Sequence, residues 1–89
     1  MGHVLPTVWM RVLNLPKILR EYLVLWAVGT MFGVTQEVDM VMTRANKFGR
    51  FAVAVLKPEL IPKKMDVIIG NHFLELLFEV EHFDPNIGV

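Results

Sequence analysis

The spacing of apolar residues shifts between a two-residue and a helical period along this chain, and each shift predicts an element. Val8, Met10 and Val12 alternate with Trp9, Arg11 and Leu13, which predicts a strand over residues 7–13. Tyr22, Leu25, Trp26, Gly29 and Phe32 then recur at helical spacing, and Pro16 and Gly33 are residue types suited to a helix start and stop, so one long helix is predicted over residues 16–33. Its other side is almost as apolar, because no charge falls between Glu21 and Glu37. Such a helix needs cover on more than one side.

Residues 35–42 alternate again, with Val38, Met40 and Met42 predicted to face the helix and Glu37, Asp39 and Val41 turned away. A loop follows over residues 43–48, with Arg44, Ala45, Asn46 and Lys47 at its tip. Residues 49–56, which include RFAVAVL, lack strong alternation and predict a central strand. Two prolines in PELIP forbid a long helix over residues 58–64 and predict a one-turn crossover. Residues 65–69 and 73–81 then read as a hairpin through Gly70 and Asn71, with Leu74, Leu76, Phe78 and Val80 inward. The predicted order is β-α-β-β-β-β: an α+β domain over residues 7–82, with one long helix packed on a curved, mainly antiparallel sheet. Residues 1–6 are a lead-in and residues 83–89 a frayed tail.

One helix covers only part of such a sheet. Trp9, Phe51, Val53 and Leu77 are expected on the uncovered face, where they point to an apolar interaction surface. Composition strengthens the point, since 89 residues at 54% hydrophobic are more apolar than so small a domain easily hides, and a homodimer is the expected state. Charge is neutral overall but polar in distribution: residues 44–64 sum to +5 and residues 65–89 to −5, poles that can pair within one fold or between copies. A dedicated nucleic-acid-binding domain more often carries a net basic balance.

Candidate chemistry is sparse. The absence of cysteine removes disulfides, thiolate nucleophiles and thiolate metal sites, and implies an intracellular home, nuclear or cytoplasmic. The acid-free first twenty residues, with Arg11, Lys17 and Arg20, leave a mitochondrial address as the lesser alternative, although they are poor in serine and interrupted by two prolines. The uncharged window of fifteen residues from Tyr22 to Gln36 falls short of a membrane span of about twenty. His3, His72 and His82 lack metal-ligand spacing, so no metal or cofactor is expected. Glu79 and Glu81 are expected in solvent, and with neither a nucleophile–base pair nor a glycine-rich phosphate loop the chain reads as no enzyme. Arg44, Lys47, Arg50, Lys57, Lys63 and Lys64 form a candidate basic patch for phosphate or an acidic partner.

The runs VWMRVLNLP, QEVDM, FGRFAVAVL and LIPKKMDVIIGNHFLELLFEVE resemble a plant domain of unknown function found in retrotransposon-derived, Gag-like proteins, usually just before a CCHC zinc knuckle. The resemblance covers roughly residues 7 to 82 and implies descent from a mobile-element nucleoprotein and a plant source, with no assigned catalytic activity. The knuckle cannot form here for want of cysteine, and the family's usual upstream segment is missing. A more distant resemblance joins MRVLNL at residues 10–15, and residues 49–56, to the two ribonucleoprotein motifs of RNA-recognition-motif domains. It implies a ferredoxin-like variant lacking the second helix, with the two strands side by side. Arg11 stands where that family has an aromatic, and Phe51 with Val53 fills the other strand's two places. Two functional readings follow: a self-assembly and protein-interaction module, and alternatively a single-stranded RNA or DNA binder that uses Trp9, Arg11, Phe51 and the basic loop.

Overall fold

The computed structural model describes residues 4–81. Five strands, β1 (Thr7–Val12), β2 (Val34–Val38), β3 (Gly49–Ala54), β4 (Lys64–Ile69) and β5 (His72–Val80), form one sheet in the order β2-β3-β1-β5-β4, with every neighbouring pair antiparallel. The helix α1 (Tyr22–Thr30) joins β1 to β2, and a short helix α2 (Met40–Ala45) joins β2 to β3. Both β1 and β2 run antiparallel to the β3 between them, so β1-α1-β2 is a split β-α-β unit. The fold is therefore α+β, with one main helix on an open antiparallel sheet. A 3₁₀ turn at Pro58–Leu60 and the extra edge strand β4 occupy the stretch where a ferredoxin-like order would place a second long helix. The tail expected from residue 83 lies outside the described residues.

The first strand forms as its alternation requires: Val8, Met10 and Val12 are buried, and Trp9 and Arg11 half-buried on the other face. The final hairpin also follows the pattern, with Leu76 and Phe78 buried and Glu75, Leu77 and Glu79 exposed. Ile69 pairs with His72 across a two-residue turn in which Gly70 takes φ +61°, the left-handed conformation such a turn needs at its first position. As β1 ends, Asn14 extends its pairing with β5: its amide donates to the Glu75 carbonyl at 2.7 Å and its oxygen accepts from the Leu77 N–H at 2.8 Å.

The helix expected over residues 16–33 is divided. Pro16 opens a 3₁₀ turn, Lys17–Leu19, and Arg20, at φ −80° and ψ 66°, then closes an inverse γ-turn in which Glu21 N–H donates to the Leu19 carbonyl at 2.9 Å. A tertiary bond holds the break, since Arg20 Nη1 donates to the Asn46 carbonyl at 2.8 Å. Beyond it, α1 buries Leu25, Val28 and Gly29 against β2 and β3. The Thr35 hydroxyl, buried on β2, donates to the Trp26 carbonyl at 2.8 Å and ties helix to strand.

The strand expected over residues 35–42 also stops early. A bulge between Thr35 and Glu37 resets the register, so Thr35 and Val38 both face inward. Asp39 then caps α2 by accepting from the Met42 N–H at 3.0 Å, which turns Met40 and Met42 into helix residues. The core lies between α1 and the inner sheet face and centres on Met10, Leu25, Phe51, Val53 and Leu76, with Phe32 set edge-on to Phe78 at 4.8 Å. Each such side chain, fully buried, contributes about 1.5–3 kcal/mol of transfer free energy.

Candidate interaction surfaces

The outer sheet face is built around two arginines that the β1–β3 register sets directly opposite each other, Arg11 and Arg50. Like charges so placed repel. Here acids delivered by other elements neutralise them. Glu81, just past the end of β5, accepts through Oε2 from Arg11 Nε at 2.9 Å and from Arg50 Nε at 2.8 Å, and through Oε1 from Arg50 Nη2 at 3.1 Å. Asp39, the cap of α2, accepts from Arg50 Nη1 at 2.7 Å. Glu79 stands 3.7 Å from Arg11 Nη1. The Arg50 guanidinium also lies 3.8 Å from the centroid of the Trp9 ring, and that of Arg11 lies 4.8 Å from the Phe48 centroid.

With Arg50 and Glu81 side chains only 19% and 20% exposed, these contacts are screened less than surface pairs. Hydrogen bonding from Arg50, and after it from Arg11, holds the Glu81 carboxyl below its ordinary range against the opposing cost of burial. The bonds that Arg50 donates to Glu81 in turn raise Arg50 further above its already high value. Glu81, expected in solvent, is thus the hub of a charge network. Two arginines facing three acids leave this face without positive excess.

Phe51 and Val53, both expected on the open face, are not there. Trp9 and Arg11 are, but Phe51 pairs with Met10 and Val53 with Val8, so both point inward and both have 0% exposure. The physical cause is the antiparallel register, which puts directly paired residues on the same side of the sheet and gives Trp9 Ala52 as its neighbour. Leu77 does stand on the open face, opposite Lys64. The exposed cross-strand pair Ile68 and Phe73 lies on that face too.

A second surface is apolar and lies on the helix side. A groove of about 390 Å³ runs between α1 and β4, lined by Leu23, Val24, Ala27, Val28 and Met31 of the helix and by Val67, Ile68, Ile69 and Gly70. Leu23, Ala27 and Met31, four residues apart, form an exposed ridge along one side. Leu23 is 76% exposed. Past Met31 a further apolar recess continues toward Leu56 and Leu60, both exposed.

The six residues expected to form a basic patch are dispersed. Arg50 is consumed by the network above, and Lys64 pairs with Glu75 at 3.1 Å in an exposed bridge. Lys57 borders the recess near Leu60, and Lys63 lies by Phe78 and Val80. Only Arg44 and Lys47 share a cleft, of about 450 Å³, and their companions there are Lys17 and Arg20 from the turn before α1. Sequence reasoning missed Lys17 and Arg20 as site residues because they lie more than twenty positions upstream; their one signal was the acid-free N-terminal segment.

Among the described residues there is no group of three or more metal-binding side chains, and no helix is long and apolar enough to cross a membrane. His3 and His82 lie outside the described residues. No family model, curated protein or solved structure matches the chain.

Proposed function

We propose that this chain is a non-enzymatic self-assembly and protein-interaction module that pairs with a second copy of itself through the apolar face shared by α1 and β4. The observation that carries the reading is α1 itself: it is apolar on every side, it buries only one side in its own fold, and it leaves Leu23 and Met31 exposed beside a groove. Ridge and groove on one face make that face self-complementary, because a two-fold axis sets the ridge of each copy into the groove of the other. Descent from a plant retroelement protein accords with an assembly role and rests on the sequence resemblance. Single-stranded nucleic acid stacked on the open sheet face is the weaker reading, since Phe51 and Val53 are buried, Arg50 already lies against Trp9, and the arginines are matched by acids.

Amide hydrogen exchange at low and high protein concentration tests the face. The expected result is concentration-dependent protection in α1 and β4 with none gained in β2, at the opposite edge of the sheet. Protection gained on β2 or across Trp9 and Leu77, with α1 unchanged, would assign assembly to another surface.

A further inference from the structure

The cleft that gathers Lys17, Arg20, Arg44 and Lys47 belongs neither to the apolar face nor to the sheet-face network. Its lining is completed by Thr43 and Asn46 and contains no carboxylate. Among the described residues none of the four cations has an acid within 4.0 Å. Distant stretches of chain converge to make it: the 3₁₀ turn before α1 supplies Lys17 and Arg20, and the last turn of α2 with its following loop supplies Arg44 and Lys47.

Four uncompensated cations in one concavity repel each other, and a fold that assembles them from separate elements bears that cost. The Arg20 guanidinium is fixed in place by its bond from Nη1 to the Asn46 carbonyl, while its Nε–H is buried without an acceptor. Arginine and lysine together suit a phosphate, the first by forked donation and the second as a point charge.

A neighbouring cleft of about 740 Å³ shares Lys17, Arg20 and Arg44 and continues over Ile18, Tyr22 and Met40, with Glu21 as its one acid. Tyr22 is 48% exposed and stacks on Trp26 at 5.8 Å, which steadies an aromatic ring beside the cations. We propose that the joined clefts bind a nucleotide, free or within a single strand, with its phosphate among Lys17, Arg20, Arg44 and Lys47 and its base against Tyr22. This site shares no lining residue with the charge network of the open sheet face and does not depend on pairing between copies.

The test is titration of the purified chain with fluorescein-labelled oligouridylate, read by anisotropy across a salt series, and with UMP, read by calorimetry. The charge reversals Arg44→Glu and Lys47→Glu together, Tyr22→Leu, and Lys64→Glu as control all fall on exposed side chains. Solution mass is recorded for each variant, so failure of assembly and failure of this site are read separately. The expected result is salt-sensitive binding that the double reversal weakens by about tenfold or more, that Tyr22→Leu weakens, and that Lys64→Glu leaves unchanged. Oligouridylate binding with UMP silent would make the ligand a strand; UMP binding as tightly would make it a free nucleotide. Failure of both probes at low salt, equal loss on Lys64→Glu, or indifference to Tyr22→Leu would overturn the proposal.

Discussion

Replacing Phe51 with alanine separates a core residue from a surface one. Phe51 has no accessible surface and lies in the interior strand β3, directly paired with Met10 and among the core that α1 covers. Truncating a buried phenylalanine costs about 3–5 kcal/mol, the sum of lost transfer free energy and the cavity left behind. A domain of 89 residues has only about 4–13 kcal/mol to lose, so Phe51→Ala sits near the edge of folding. The milder Phe51→Leu, costing about 1.5 kcal/mol, keeps the measurement within range. Urea unfolding followed through tryptophan fluorescence is the assay. With an m-value of about 1 kcal/mol/M, the midpoint of Phe51→Ala falls by about 3 M or the folded baseline vanishes, and that of Phe51→Leu falls by about 1.5 M. Leu77→Ala, on the open face, changes stability by under about 1 kcal/mol. A Phe51→Ala cost below about 1 kcal/mol at unchanged m, or a Leu77→Ala cost equal to it, would refute the assignment of faces.

Two further substitutions probe the network and the chain's tightest approach. Glu81 has its folded pKa lowered by Arg50 and Arg11, so its contribution is fully present above the ordinary value of 4.5 and is lost as pH falls through the lower folded value. Glu81→Gln therefore destabilises at neutral pH by about 2 kcal/mol and flattens the acid limb of a stability-against-pH curve; an unchanged limb would deny Glu81 its role as hub. Gly33 stands where an added Cβ meets the Ala54 carbonyl oxygen, an unyielding backbone atom. Gly33→Ala is expected to cost about 1–3 kcal/mol in thermal or urea unfolding, and a neutral result would show that β2 and β3 separate more freely than their pairing implies.

Much of the fold was legible because period-two alternation with one buried face leaves little choice, as in β1 and the β5 hairpin. Gly70 marked its turn for the same local reason. Elements settled by tertiary contacts were harder to read. Nothing local in residues 16–22 announces that Arg20 will leave the helix to bond the Asn46 carbonyl. Asp39 reads as an outward strand residue because the alternation runs on to Met42, whereas in the fold it caps α2 and turns Met40, Val41 and Met42 into helix. Face assignment across strands needs register, which no single strand contains: nothing within residues 49–56 shows that Phe51 pairs with Met10 and Val53 with Val8, on the face opposite Trp9. The opposite charge poles were visible as sums, and their partial pairing within the fold, Arg50 with Glu81 and Lys64 with Glu75, required the strand order.

The measurement that tests the assembly claim most directly is sedimentation equilibrium of the wild-type chain beside Leu23→Lys. Leu23 is exposed on α1 and outside the core, so the substitution spares the fold while placing a charge on the proposed face. The wild type is expected at twice its chain mass of 10.2 kDa, dissociating on dilution, and Leu23→Lys at one chain over the same range. A wild type at one chain at every concentration, or a Leu23→Lys dimer as tight as the wild type, would contradict the account.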